Sequence, residues 1–157
     1  MTVGYVGGGI YSESGSSQDL LCMTDHPTFG KTSGTDYGHI YGAEYDADFF
    51  APHANGQDMP CAVCKRKATT SSIMIPGRNT CYGGWNMEYN GYLSTEYYSR
   101  STGTNYICID IQPEFLVGGE ANTNAGRMIG PVFAKCGTLK CPPYHNNYPV
   151  TCAVCSK

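Results

Sequence analysis

The stretch Cys61-Ala62-Val63-Cys64 occurs a second time as Cys152-Ala153-Val154-Cys155. The architecture turns on that recurrence, because the residues ahead of each copy also align in order. Gly4-Tyr5 matches Gly91-Tyr92, and Cys22, Pro27 and Phe29 match Cys108, Pro113 and Phe115 at one constant offset of 86 residues. Gly38-His39-Ile40-Tyr41-Gly42 matches Gly126-Arg127-Met128-Ile129-Gly130 at an offset of 88, and the two CAVC copies stand 91 apart. Anchors in one order with a slowly drifting offset imply a diverged duplication. The period is longer than that of solenoid repeats. The expectation is a single domain over 1–157, made of two tandem homologous half-domains, 1–76 and 77–157, related by a pseudo-twofold.

Paired CxxC segments raise the question of zinc, whose tetrahedral sites use such pairs. Here each pair closes its own repeat, and the 91-residue gap is far longer than the spacing of a zinc ribbon. Each CAVC also sits in a strand-like context, as in Pro149-Val150-Thr151-Cys152. Positions one and four of a strand point to opposite faces, which suits two disulfides better than one ion. Nine cysteines in 157 residues therefore read as a disulfide framework, the habit of oxidising compartments. The repeat makes one set of pairings economical: Cys22–Cys61 with its counterpart Cys108–Cys152, then Cys81–Cys155, and Cys136–Cys141 as a local loop. Cys64 is left as a free thiol. Spacing alone leaves other pairings open.

Composition narrows the functional classes. Charged residues are 15% of the chain, net charge is −3, and Lys and Arg are scattered. Binding to nucleic acid or an anionic membrane needs clustered cations, so neither is expected. No apolar run approaches the length of a membrane span, and the first residues lack the charged-then-apolar form of a signal peptide. The chain reads as a mature sequence restarted with Met1.

Helix signals are nearly absent, since few windows carry apolar residues at helical spacing without a breaker. Short strand signals recur: Asp19 to Met23, His39 to Tyr45, Ser72 to Ile75, Met87 to Tyr89, Asn105 to Ile109 and Met128 to Ala134. Gly- and Ser-rich turns separate them. The pattern predicts an all-β, compact, disulfide-bonded body. The stretch Pro76-Gly77-Arg78-Asn79 marks the junction between the halves, with no flexible linker.

Several ordered motifs carry a resemblance. They are Tyr41-Gly42-Ala43-Glu44-Tyr45, Asp58-Met59-Pro60-Cys61-Ala62-Val63-Cys64, Met74-Ile75-Pro76-Gly77-Arg78 with Cys81, Glu88-Tyr89-Asn90-Gly91-Tyr92-Leu93, and Cys141-Pro142-Pro143-Tyr144 before the closing CAVC. Together they resemble the globular Cys-rich domain family of marine invertebrates often labelled short-chain-collagen-like, and are similar to galactose-type lectins of feather stars. The likeness spans almost the whole chain. It implies secretion and binding of galactose-containing glycans such as N-acetyllactosamine. No Gly-X-Y tract is present, so the collagen label implies nothing about this fold.

Sugar sites combine an aromatic face for the apolar side of the ring with a few fixed polar groups for its hydroxyls. On that basis the candidate glycan-binding residues are His39, Tyr41, Glu44, Tyr45, His53, Asn55, Asp58 and Trp85. In a strand Tyr41 and Tyr45 share one face and Glu44 takes the other. The bland readings are an edge strand with a buried Tyr row, a tight Asn-Gly turn around Asn55, and a core Trp at Trp85. Tyr144 to Tyr148 is the second copy's counterpart of the 53–58 loop, and two working sites would make the chain bivalent.

Catalytic constellations such as HExxH, GxSxG or a P-loop do not occur, nor does a DxDxDG calcium loop. The expectation is a secreted lectin without catalysis, cofactor or metal, associating as a homo-oligomer. The other reading is an extracellular matrix or adhesion module that assembles through protein contacts.

Overall fold

The computed structural model describes residues 2–119 and 125–157. Among them lie nine strands and no α-helix: β1 (Thr2–Gly8), β2 (Leu21–Thr24), β3 (Tyr41–Tyr45), β4 (Pro60–Val63), β5 (Ser72–Pro76), β6 (Asn86–Glu96), β7 (Ile107–Asp110), β8 (Arg127–Pro131) and β9 (Thr151–Ser156). The chain is all-β. The order across the sheet is β2-β1-β3-β8-β6-β9-β5, with β4 also on β1 and β7 also on β6.

Two strands organise their surroundings in the same way. On one edge of β1, Gly4, Tyr5, Val6 and Gly7 face Thr24, Met23, Cys22 and Leu21 of β2. On one edge of β6, Gly91, Tyr92, Leu93 and Ser94 face Asp110, Ile109, Cys108 and Ile107 of β7. The opposite edges agree as well: Val3, Gly4 and Tyr5 face Ala62, Cys61 and Pro60, while Asn90, Gly91 and Tyr92 face Ala153, Cys152 and Thr151. The two Gly-Tyr anchors have one steric cause. A Cβ on Gly4 would lie 1.8 Å from the Met23 carbonyl oxygen, and one on Gly91 would lie 1.7 Å from that of Ile109. Only glycine lets β2 and β7 come so close.

Register corrects one part of the sequence alignment. β1 sets Gly7 against Gly42, and β6 sets Ser94 against Pro131. Gly42 thus corresponds to Pro131 and not to Gly130. The glycines that suggested the match are one residue out of step, since the offset here is 89 (131 − 42) and not 88.

The two groups meet where β3 and β8 run parallel, with Ala43, Glu44 and Tyr45 against Arg127, Met128 and Ile129. Every other strand pair among the described residues is antiparallel. The main core gathers at this seam: Ala43, Tyr45, Ala54, Met59, Ile109 and Ile129 are buried, with Phe50 and Phe115 packed on them. A smaller cluster joins Ile75, Ala153 and Cys155, covered by Cys81 and Trp85. It exists because β5 pairs with β9 along Ser72–Pro76.

The disulfides are Cys22–Cys61, Cys81–Cys155, Cys108–Cys152 and Cys136–Cys141, the same four pairs that the repeat suggested, and Cys64 is free and exposed. Four bridges mark a protein of an oxidising compartment or the extracellular space. Among the described residues no helix is long and apolar enough to cross a membrane.

Candidate functional site

The end of β6 and the loop after it carry a graded polar network. At its base, Arg127 is fully buried and Glu96 nearly so. Arg127 Nη1 stands 3.4 Å from Glu96 Oε2, and its nitrogens donate to the carbonyls of Gly103 at 3.3 Å and Ser17 at 2.8 Å. A second guanidinium completes the group: Arg100 lies 3.0 Å from Glu96 Oε1 and 3.0 Å from Asp46 Oδ2. Two carboxylates and two guanidiniums balance, which is how buried charge is tolerated. Burial still holds the Glu96 carboxyl above the ordinary carboxylate range, while Arg100, the Met128 N–H and Arg127 pull it down.

An aromatic surface sits directly on this network. Arg100 lies over the ring of Tyr11, 4.8 Å from its centroid, a cation–π contact. Tyr97 and Tyr98 meet with centroids 4.4 Å apart and their rings tilted by 39°, and the Tyr97 hydroxyl donates to that of Tyr98 at 3.2 Å. Tyr98 is 88% exposed. The Tyr97 phenol is pushed up by its bond to Tyr98, with Arg100 opposing the shift. Exposed rings beside fixed charged groups of both signs are the ingredients of a sugar site.

A second cluster lies along the same loop, 9–20, which sends Tyr11 to the first and Glu13 to this one. His39 Nδ1 is 3.1 Å from Glu13 Oε1, and Nε2 is 2.9 Å from Asp36 Oδ1. Tyr41 donates its hydroxyl to the same Glu13 oxygen at 3.1 Å, and its ring meets His39 edge-on. Asp36 first, then Glu13, raise His39 above its ordinary value of 6.5. The expected proximity of His39 and Tyr41 is therefore present, organised by Glu13 from another loop.

The other sequence candidates stand elsewhere. Glu44 and Tyr45 are each 3% exposed, because β3 is an inner strand covered on both faces and not an edge. Glu44 accepts from the Ala125 N–H, while the Tyr45 hydroxyl donates to the Glu114 carbonyl and burial pushes its pKa up to about 12. Trp85 is half-buried against Ile75, Ala153 and Cys155, where it acts as packing. His53, at φ 63°, and Asn55 sit in an exposed turn fixed by the Asn55 N–H donating to Asp48. Asp58 lines a separate cavity of about 460 Å³ with Tyr5, Gly42 and Leu116.

Sequence reading passed over Tyr97, Tyr98 and Arg100, which stand in what scans as a polar turn. The signal available was the doubled Tyr followed by Ser-Arg, at Tyr97-Tyr98-Ser99-Arg100. Among the described residues no group of three or more His, Cys, Asp or Glu side chains could hold a metal ion. Set against known protein families, curated proteins and solved structures, the chain matches none of them.

Proposed function

We propose that the protein is a secreted, non-catalytic lectin that binds galactose-type glycans, built from two tandem related halves and acting as an oligomer. The observation that carries this reading is the exposed Tyr97–Tyr98 pair held beside the Asp46–Arg100–Glu96 network. Galactose presents a continuous apolar face that stacks on an aromatic ring, and its hydroxyls take donors and acceptors from charged groups. The network holds Arg100 and Asp46 in place before any ligand arrives, which lowers the ordering cost of binding. The resemblance to the marine-invertebrate family supports the choice of sugar. The equal registers around β1 and β6 support the two-halves reading.

Calorimetric titration with N-acetyllactosamine tests it. Binding is expected in the micromolar to millimolar range, and Tyr98→Ala should weaken it at least about ten-fold, or 1.4 kcal/mol, with unchanged melting. A folded protein that gives no signal with galactose-terminated glycans on an array would sink the lectin reading. The matrix or adhesion alternative is favoured by a different observation, the exposure of the first CAVC segment.

A further inference from the structure

The two CAVC strands have the same neighbours on one side and different ones on the other. Thr151, Ala153 and Cys155 turn their backbone groups toward β5, as the bond from the Gly77 N–H to the Thr151 carbonyl at 2.7 Å shows. The same register puts the backbone groups of Pro60, Ala62 and Cys64 on the outer edge of β4, since Cys61 and Val63 face β1. Among the described residues no strand pairs with that edge. The side chains agree: Cys152, Ala153 and Cys155 are fully buried, whereas Ala62, Val63 and Cys64 are exposed.

We infer that the outer edge of β4 is a docking site for an extended strand of a separate polypeptide, added antiparallel as β5 is added to β9. The protein's own second half shows the chemistry of the occupant. Ile73 and Ile75 stand opposite Cys155 and Ala153, so the incoming strand carries apolar residues at alternate positions to cover Cys64 and Ala62. Val3, Tyr5, Pro60, Ala62 and Cys64 already line one wall of a groove of about 830 Å³. The groove is also lined by Asp25, Asp110 and Glu114, which disfavour an acidic side chain within it. The antiparallel direction brings the residues ahead of the strand toward Lys65 and Lys67, Arg66 being already paired with Glu88, so that leader is acidic. Main-chain bonds supply affinity in this mode and alternate side chains supply specificity.

Cys64 provides the reporter. The probe is a peptide with the sequence of Ser72–Cys81 behind three acidic residues, its cysteine activated as a thiopyridyl disulfide. On docking, the Cys64 thiolate attacks the peptide sulfur, one S–S bond forms, one breaks, and thiopyridone leaves with the electron pair. Cys64 should be modified at least ten-fold faster than by a scrambled peptide. A Lys leader should slow the reaction several-fold, and high salt should erase that difference. Ala62→Pro, which removes an outward N–H, should abolish the preference. A separate measurement guards against misfolding of that variant: in Cys64→Ser, the unactivated peptide should slow amide exchange at Ala62. Equal rates for both peptides, or no protection at Ala62, would overturn the inference. So would a native dimer with Cys64 shielded, since a second copy would then own the edge.

Discussion

The two CAVC segments share four residues and almost nothing in their surroundings. Cys152 to Cys155 lies between β6 and β5, under Trp85 and the Cys81 bridge. Cys61 to Cys64 has β1 on one side and, among the described residues, no strand on the other. Val63 is 58% exposed, and Cys64 carries a free thiol where Cys155 carries a disulfide. Identical residues thus take core or surface roles according to whether one more strand is laid on them. Burial here belongs to the neighbourhood and not to the residue.

The largest effect expected from this contrast is covalent. Replacing Cys81 and Cys155 together by Ala should lower stability by about 2–5 kcal/mol, the usual loss for a native bridge. Cys64→Ser should stay within about 0.5 kcal/mol. Urea unfolding of both variants checks the pair, and equal losses would break the comparison.

Packing comes next. Ala153 has no exposed surface, so Ala153→Leu should cost about 1–3 kcal/mol by overpacking. Ala62→Leu should be neutral within about 0.5 kcal/mol. Gly4→Ala and Gly91→Ala probe the shared side of the comparison, since each added Cβ strikes a backbone oxygen. Both should destabilise alike, by about 1–3 kcal/mol, in thermal melts at one concentration. A costly change at only one of them would mean that the two registers are not under the same constraint.

The smallest effect is electrostatic and belongs to the first half alone. His39 bridges Glu13 and Asp36, which raise its pKa above 6.5. The bridge is fully charged below the unfolded value of about 6.5 and is lost as pH rises through the higher folded value. An NMR titration should show that upward shift, and Glu13→Gln should reduce it. No shift in the native protein would remove the clamp between the two loops.

Much of the framework was legible from spacing. Strand patterns and turn residues announced an all-β body, and the repeat named the matched bridges Cys22–Cys61 and Cys108–Cys152, because cysteines matched by offset are matched by register, while Cys81–Cys155 and the local Cys136–Cys141 followed by economy. The alternation rule failed at β3, where Glu44 and Tyr45 were expected to reach the surface. Alternation marks a strand with one wet face, and β3 is buried on both faces over the consecutive residues Ala43, Glu44 and Tyr45. Glu13 was invisible as the partner of His39 because it stands 26 positions away, across β2 and the loops on either side of it. The Tyr97–Arg100 site was missed for a related reason. Its meaning comes from Asp46, 54 positions away, which no local pattern connects to it.

The parallel seam of β3 and β8 bears on the order in which the protein matures. No disulfide crosses it: Cys22–Cys61 lies wholly on one side, and the other three bridges lie on the other. Within this sequence Cys22, Cys61 and Cys64 precede the other six cysteines. Cys22–Cys61 can therefore be oxidised before Cys81 and the cysteines after it appear. The seam joins residues far apart in sequence, such as Ala43 and Arg127, and such contacts are slow to form. Each bridge joins residues of one side only, so correct pairing does not require the two sides to lock.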